Sequence, residues 1–253
     1  MVLYIVAETF LLHFKVTQTD NLFISPGNCG TIGLDLCPMR HNKQRHRAGE
    51  SVRVVSGSAK GRPLKSVPGN GTRPTTDKVK EALFSMIGPY FDGGIALDLF
   101  AGTGGLGIEA LSRGMEHAVF VDMEQKSIDT VRANLKAARL EDKAEVYRND
   151  AGRAIGALEK RGRAFDLVFL DPPYRLKHGD ELMLTLAGKG LLKPDAVIVL
   201  EHESGYAYPE EITGFFRTRQ AIYGETAISI YQYEAASEEA GLSSEEGNDE
   251  SAN

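Results

Sequence analysis

The tetrapeptide Asp171-Pro172-Pro173-Tyr174 brings together a carboxylate, a stiffened backbone and an aromatic ring. Proline locks its own backbone torsion, so the Pro172 carbonyl can be held in one direction. An exocyclic amine on a planar base has two N–H donors, and Asp171 and the Pro172 carbonyl are two acceptors for them. Tyr174 offers a face on which such a base can stack. A second constellation lies upstream. Gly102-Thr103-Gly104-Gly105-Leu106-Gly107 matches G-x-G-x-x-G, whose glycines let a strand-to-helix turn tighten and approach a ligand. Asp122 follows Gly102 by 20 residues, where an acid can accept hydrogen bonds from the hydroxyls of a ribose. Asp98 is an acid within an apolar run, and a buried carboxylate needs a partner such as a cationic ligand. Asp150 can meet an adenine amine or cap a helix that begins near Gly152, and the two roles are compatible.

These residues require a scaffold that converges them. Short apolar runs at 95–99, 118–122, 144–148, 165–171 and 196–201 alternate with helical stretches near 106–112, 125–138, 152–160 and 179–187. That alternation predicts an α/β protein with a parallel sheet. In such a sheet ligands bind beyond the carboxyl ends of the strands, which places 171–174 beside the glycine turn. The runs 214–222 and 226–233 are joined by a short turn and predict an antiparallel hairpin at the end of the sheet. Upstream, Thr76-Asp77 is a helix start for 78–87, with Val79, Ala82, Leu83 and Met86 on one apolar face and Gly88-Pro89 as the stop.

Composition narrows the class. Of 253 residues, 42% are hydrophobic and 25% charged, which excludes collagen-like and wholly disordered chains. No apolar run reaches the ~20 residues of a membrane span. Cys29 and Cys37 make neither a disulfide framework nor a zinc cluster, so no metal is expected and a reducing cytoplasm is the default. The net charge of −6 conceals three zones. The stretch 234–253 carries seven acids and no base, and reads as a disordered acidic tail. The stretch 52–80 carries seven bases against Asp77 alone, with interspersed glycines, which suits a flexible strand that contacts phosphates. Residues 1–51 lack a sustained period and read as a non-native or disordered extension, with Gly49-Glu50 resembling a translated ribosome-binding sequence ahead of a start at Val52. The working domain is then 52–233.

Four ordered segments, 52–62, 73–84, 97–114 and 165–174, resemble the bacterial 16S rRNA guanine-N2 methyltransferases of the RsmD family. The resemblance spans the domain from Val52 to Tyr233. It implies a Rossmann-like class I methyltransferase fold: a mostly parallel seven-stranded sheet with an antiparallel C-terminal hairpin and helices on both faces. It implies S-adenosylmethionine as cofactor, held by Asp98, Phe100, Gly102, Gly104, Gly107, Asp122, Met123, Asp150 and Ala151. Asp171, Pro172 and Tyr174 would hold the guanine, and Arg53, Lys60, Arg62 and Arg73 would grip RNA. The implied partner is 16S rRNA or the assembling small subunit, and a monomer is expected. Other readings stay open from the residues alone. A nicotinamide-dependent dehydrogenase would share the glycine turn and Asp122 but has no use for Asp171–Tyr174. A DNA adenine methyltransferase would share both motifs. A non-catalytic RNA-binding assembly factor would not need the cofactor turn.

Overall fold

The computed structural model describes residues 52–69, 76–172 and 177–235. After helix α1 (Asp77–Ile87) the chain alternates: β1 (Ile95–Asp98), α2 (Gly105–Ser112), β2 (His117–Asp122), α3 (Gln125–Ala138), β3 (Ala144–Arg148), α4 (Ala151–Glu159), β4 (Phe165–Leu170), α5 (Gly179–Gly188) and β5 (Leu192–Glu203). It ends in β6 (Glu211–Ile212), β7 (Phe215–Tyr223) and β8 (Thr226–Tyr233). The strands form one sheet in the order β3-β2-β1-β4-β5-β8-β7-β6. β1 to β5 are parallel, and β8 runs antiparallel between β5 and β7. The sheet therefore has eight strands rather than the expected seven. The extra one, β6, is two residues long and too short to leave an alternating pattern in the sequence.

The strands are buried on both faces, and their residues alternate between two cores as strand geometry demands. Ala96, Leu167, Phe169 and Val199 face one core with Leu83 and Phe84 of α1, Ile108 and Leu111 of α2 and Val131 and Leu135 of α3. Leu97, Val168, Ile198 and Leu200 face the other with Ile155 and Leu158 of α4 and Met183 and Leu186 of α5. At the outer edge, no residue of β3 is fully buried, and Glu145 there forms ion pairs with Arg161 and Arg163.

The described part of the basic segment, 52–69, is packed against the domain rather than extended from it. Residues 52–69 are docked onto the first core through Val52, Val54, Ala59 and Leu64. The dock is built on Glu109 of α2, whose side chain has no solvent exposure. Its two oxygens accept the Val55 and Ser56 amides at 2.8 and 2.9 Å. They also pair with Arg113 Nε at 2.8 Å and Lys80 Nζ at 3.5 Å. Lys80 in turn donates to the Arg53 carbonyl. Gly57 lets the chain lie against the end of α2: its φ is +81°, and a Cβ there would meet the Ser112 carbonyl oxygen at 1.8 Å.

Two further expectations about this region need correction. Lys80, counted among the seven bases of 52–80, is fully buried, and burial lowers its pKa despite Glu109 and Asp77 nearby. Thr76 occupies the N-cap of α1, but neither it nor Asp77 acts as the side-chain cap, since Thr76 makes no cap bond and Asp77 instead pairs with Arg53 Nε at 2.8 Å. A buried charge loses far more when its partner is removed than the pair contributes net. Glu109→Ala is therefore expected to lower the unfolding free energy by about 3–5 kcal/mol, measured by urea denaturation. The same variant should expose the 52–69 segment to limited proteolysis before the sheet unfolds.

Candidate active site

The glycine turn follows β1 at the point where the strand order reverses, between β1 and its neighbours β2 and β4. Asp98 ends β1 and is 5% exposed. Its Oδ2 accepts the Gly107 amide at 3.2 Å. Gly107 must lack a side chain, because a Cβ would lie 2.4 Å from the Phe120 ring. Burial, and then the charge of Asp122, push the Asp98 pKa up to about 7. A carboxyl so placed favours a positive charge beside it, the only cheap way to keep it ionised.

Asp122 ends β2. Its two oxygens accept the Gly102 amide and the Glu124 amide, each at 2.8 Å. A carboxylate has about four lone-pair sites, so this anchoring fixes its orientation and leaves acceptor capacity. Met123, next in the chain, is 62% exposed despite its apolar side chain. Asp150 caps α4: its Oδ1 accepts the Gly152 and Arg153 amides at 3.0 and 3.3 Å. The Asn149 amide donates to the Asp122 carbonyl at 3.0 Å, so Asp122, Met123, Asp150 and Ala151 share one rim. Phe100 is half-buried against the second core.

Asp171 and Pro172 follow directly after β4. Asp171 is exposed as a residue and Pro172 is buried. Desolvation of its carboxyl, with the charges of Glu201 and Asp98, raises the Asp171 pKa well above the carboxylate range. The parallel registers, Asp98 opposite Phe169 and Leu170 opposite Leu200, bring Asp98, Asp171 and Glu201 to neighbouring strand ends at the carboxyl side of the sheet. Tyr174 and Arg73 lie outside the described residues. Of the other arm bases, Arg53, Lys60 and Arg62 are exposed, and Arg53 Nε pairs with Asp77.

Sequence reasoning missed two groups. Asn134 of α3 is fully buried. Its amide exchanges hydrogen bonds with the Lys65 backbone, at 2.7 and 3.0 Å, and donates to the Thr103 carbonyl at 2.8 Å. It thereby ties the arm to the glycine turn; a polar residue on the buried stripe of α3 was the available signal. The second group lines a small, solvent-open depression beside Pro172: Lys177, Glu201, His202, Glu203, Tyr206 and Tyr208. These residues come from loops and one strand end, where no periodicity links them.

A family model described as "Conserved hypothetical protein 95" matches residues 52–232. "Putative rRNA methyltransferase YlbH" of Bacillus subtilis is 54% identical over 181 residues, covering 72% of this chain and 98% of that one. "Ribosomal RNA small subunit methyltransferase D" of Escherichia coli K12 is 32% identical over 196 residues, covering 78% and 97%. A solved structure described as "Putative methyltransferase yhhF from Escherichia coli" shares 32% identity with a TM-score of 0.63, covering 73% of this chain and 98% of that one. A parallel sheet reversing at β1, closed by an antiparallel hairpin and bearing acids around a glycine turn, is a class I methyltransferase fold. Within that class the chain belongs to the RsmD family.

The raised Asp98 pKa has a consequence for stability. The folded protein holds this proton up to about pH 7, whereas the ordinary value is 3.8. The stability associated with it is complete below 3.8 and is lost as pH rises through about 7. Asp98→Asn, which retains an acceptor for Gly107, should therefore melt above the wild type at pH 8. The difference should vanish near pH 4. A melting temperature series against pH checks this, and a constant difference would contradict it.

Proposed function

We propose that this protein is an S-adenosylmethionine-dependent methyltransferase that modifies the N2 amine of a guanine in small-subunit rRNA. The observation that carries the reading is the convergence of Asp171 and Pro172 with Asp98 and the glycine turn at the switch point of a methyltransferase sheet. The names of the matched relatives support an rRNA substrate. The residues also fit the cofactor. Asp98 is a buried acid that calls for a cation, and the cofactor carries both a sulfonium and an ammonium. Asp122 is oriented by two amides and retains acceptor capacity for ribose hydroxyls. Met123 presents an exposed apolar surface suited to an adenine ring, with Phe100, Gly102, Gly104, Asp150 and Ala151 completing the rim.

When bound, the cofactor supplies a methyl group already activated on a sulfonium. The chain's own residues then need no covalent intermediate. Asp171 and the Pro172 carbonyl accept the two N–H groups of the amine and fix its approach. Such positioning is worth about 7–11 kcal/mol of barrier at best. Accepting those N–H bonds also favours the pyramidal nitrogen, whose lone pair is withdrawn from the ring, and acts most strongly in the transition state. The raised pKa of Asp171 suits it to receive the proton that the amine releases. Tyr174 is placed in the tetrapeptide to stack on the base. The base must leave its stack to enter, so an accessible RNA loop is the fitting substrate. Lys60, Arg62 and Arg73 supply phosphate contacts from the arm and its continuation.

The test is mass mapping of rRNA from cells lacking the gene. One missing N2-methylguanine in small-subunit rRNA is the expected result, and an unchanged methylation profile would refute the proposal. In the purified enzyme, Asp171→Ala should lower turnover by about 10²–10³-fold while S-adenosylmethionine affinity, read by calorimetry, stays within a factor of about three. Lys60→Ala and Arg62→Ala should each weaken RNA binding and reduce the slope of log affinity against log salt by about one. A slope unchanged in both variants would remove the arm from the RNA interface.

A further inference from the structure

The cavity beside Pro172 contains more than the amine-holding pair. It lies over the carboxyl end of β5 and the loop that follows, on the side of β4 away from β1 and the glycine turn. A base whose amine is held at Asp171 and Pro172, facing the turn, projects its ring across β4 toward β5. Neighbouring strands are about 4.8 Å apart, so a ring system of that width reaches this cavity. The inference rests on the amine-holding reading of Asp171 and Pro172.

The cavity wall is rigid where a ring would touch it. Tyr208 is 3% exposed, and its hydroxyl accepts the Gly179 amide at 3.1 Å. Its carbonyl accepts from Arg217 at 3.0 Å. His202 is fixed as well: its Nδ1 donates to the Glu203 carbonyl at 2.9 Å, and its Nε2 bonds Ser229 Oγ at 2.9 Å. Tyr208 packs edge-on to both His202 and Tyr206, with centroids 5.0 and 4.7 Å away. Tyr206, half-buried, is thus held in place without being enclosed. Lys177 is exposed and sets its ammonium 4.8 Å from the Tyr206 ring centroid. Glu201 and Glu203 line the same space.

We propose that Tyr206 and Lys177 form the wall that selects guanine at the target position. Tyr206 gives the ring an aromatic contact, and the Lys177 ammonium donates to the ring carbonyl oxygen. Guanine presents in sequence an oxygen acceptor, the N1–H donor and the N2 amine. The Lys177 ammonium and the Asp171–Pro172 acceptors complement the two ends of that order. Adenine and cytosine put an amine where the ammonium needs an acceptor and a bare ring nitrogen in place of the N1–H. A site built to bond a group rejects the analogue that lacks it, because its own polar groups go unpaired.

The test uses RNA bearing guanine, or 2,6-diaminopurine, at the mapped target nucleotide; the second base keeps the N2 amine and replaces the oxygen by an amine. The wild-type enzyme should prefer guanine by about 100-fold or more in kcat/KM. Lys177→Met should lose about tenfold or more on guanine and little on diaminopurine, so that the preference collapses. Tyr206→Ala should raise KM for guanine RNA about tenfold with kcat little changed, and Tyr206→Phe should restore it. S-adenosylmethionine affinity, read by calorimetry, should be unchanged in all three variants. A preference intact in Lys177→Met, a KM unmoved in Tyr206→Ala, or a shifted cofactor affinity would overturn the assignment. Failure of the wild-type enzyme to methylate guanine RNA would instead overturn the proposed function itself.

Discussion

The Glu109 carboxylate is the interaction on which the rest of this structure depends. It is a fully buried charge with two amides and two cations around it. Burying an ion costs several kcal/mol even after relaxation, so each partner is needed to offset that cost. The partners come from three places in the chain: the arm, α1 and the C-cap of α2. One carboxylate therefore sets how the basic segment lies on the domain. Because Glu109 sits on the helix that the glycine turn opens, the same anchor steadies the start of the site.

A second constraint is topological. The strand order reverses at β1, so the loops after β1 and β4 diverge from adjacent strands and leave a crevice. Three acids of one sign are brought to that crevice by strand ends, with raised pKa values at two of them as the physical cost. A fold that tolerates such repulsion at one point is prepared for a cation there. The antiparallel insertion of β8 beside β5 has a related effect. It fixes Ser229 behind His202, and so steadies the wall that faces the base.

Much of this was legible in the sequence because it depends on local patterns. The parallel strands, the glycine turn, Asp122 at the end of β2, the cap at Asp150 and the C-terminal hairpin follow from short-range periodicity and turn chemistry. What was not legible depends on long-range partners. Lys80 reads as one more surface base until Glu109 is found beside it, and Asp77 reads only as a helix-start acid until Arg53 Nε is found beside it. The arm's glycines suggested flexibility, yet Gly57 serves close packing against Ser112. Asn134 and the Tyr206–Tyr208 wall gain meaning only from neighbours many residues away. Strand β5 also extends beyond 196–201 at both ends, because Leu192 pairs with Phe165 of β4 and pairing with β8 continues through Glu203.

The two-residue strand β6 bears on how copies of this protein behave toward one another. A sheet edge exposes unsatisfied backbone groups that invite another chain to add a strand. On one side β6 covers only Phe215 and Phe216 of β7, and the rest of that edge carries the charges of Arg217 and Arg219. The other edge is β3, where Glu145 and its arginine partners place charge along the rim. Charged and shortened edges both discourage such pairing. A sheet of eight strands thus terminates itself at each side, which protects a concentrated solution from edge-to-edge aggregation.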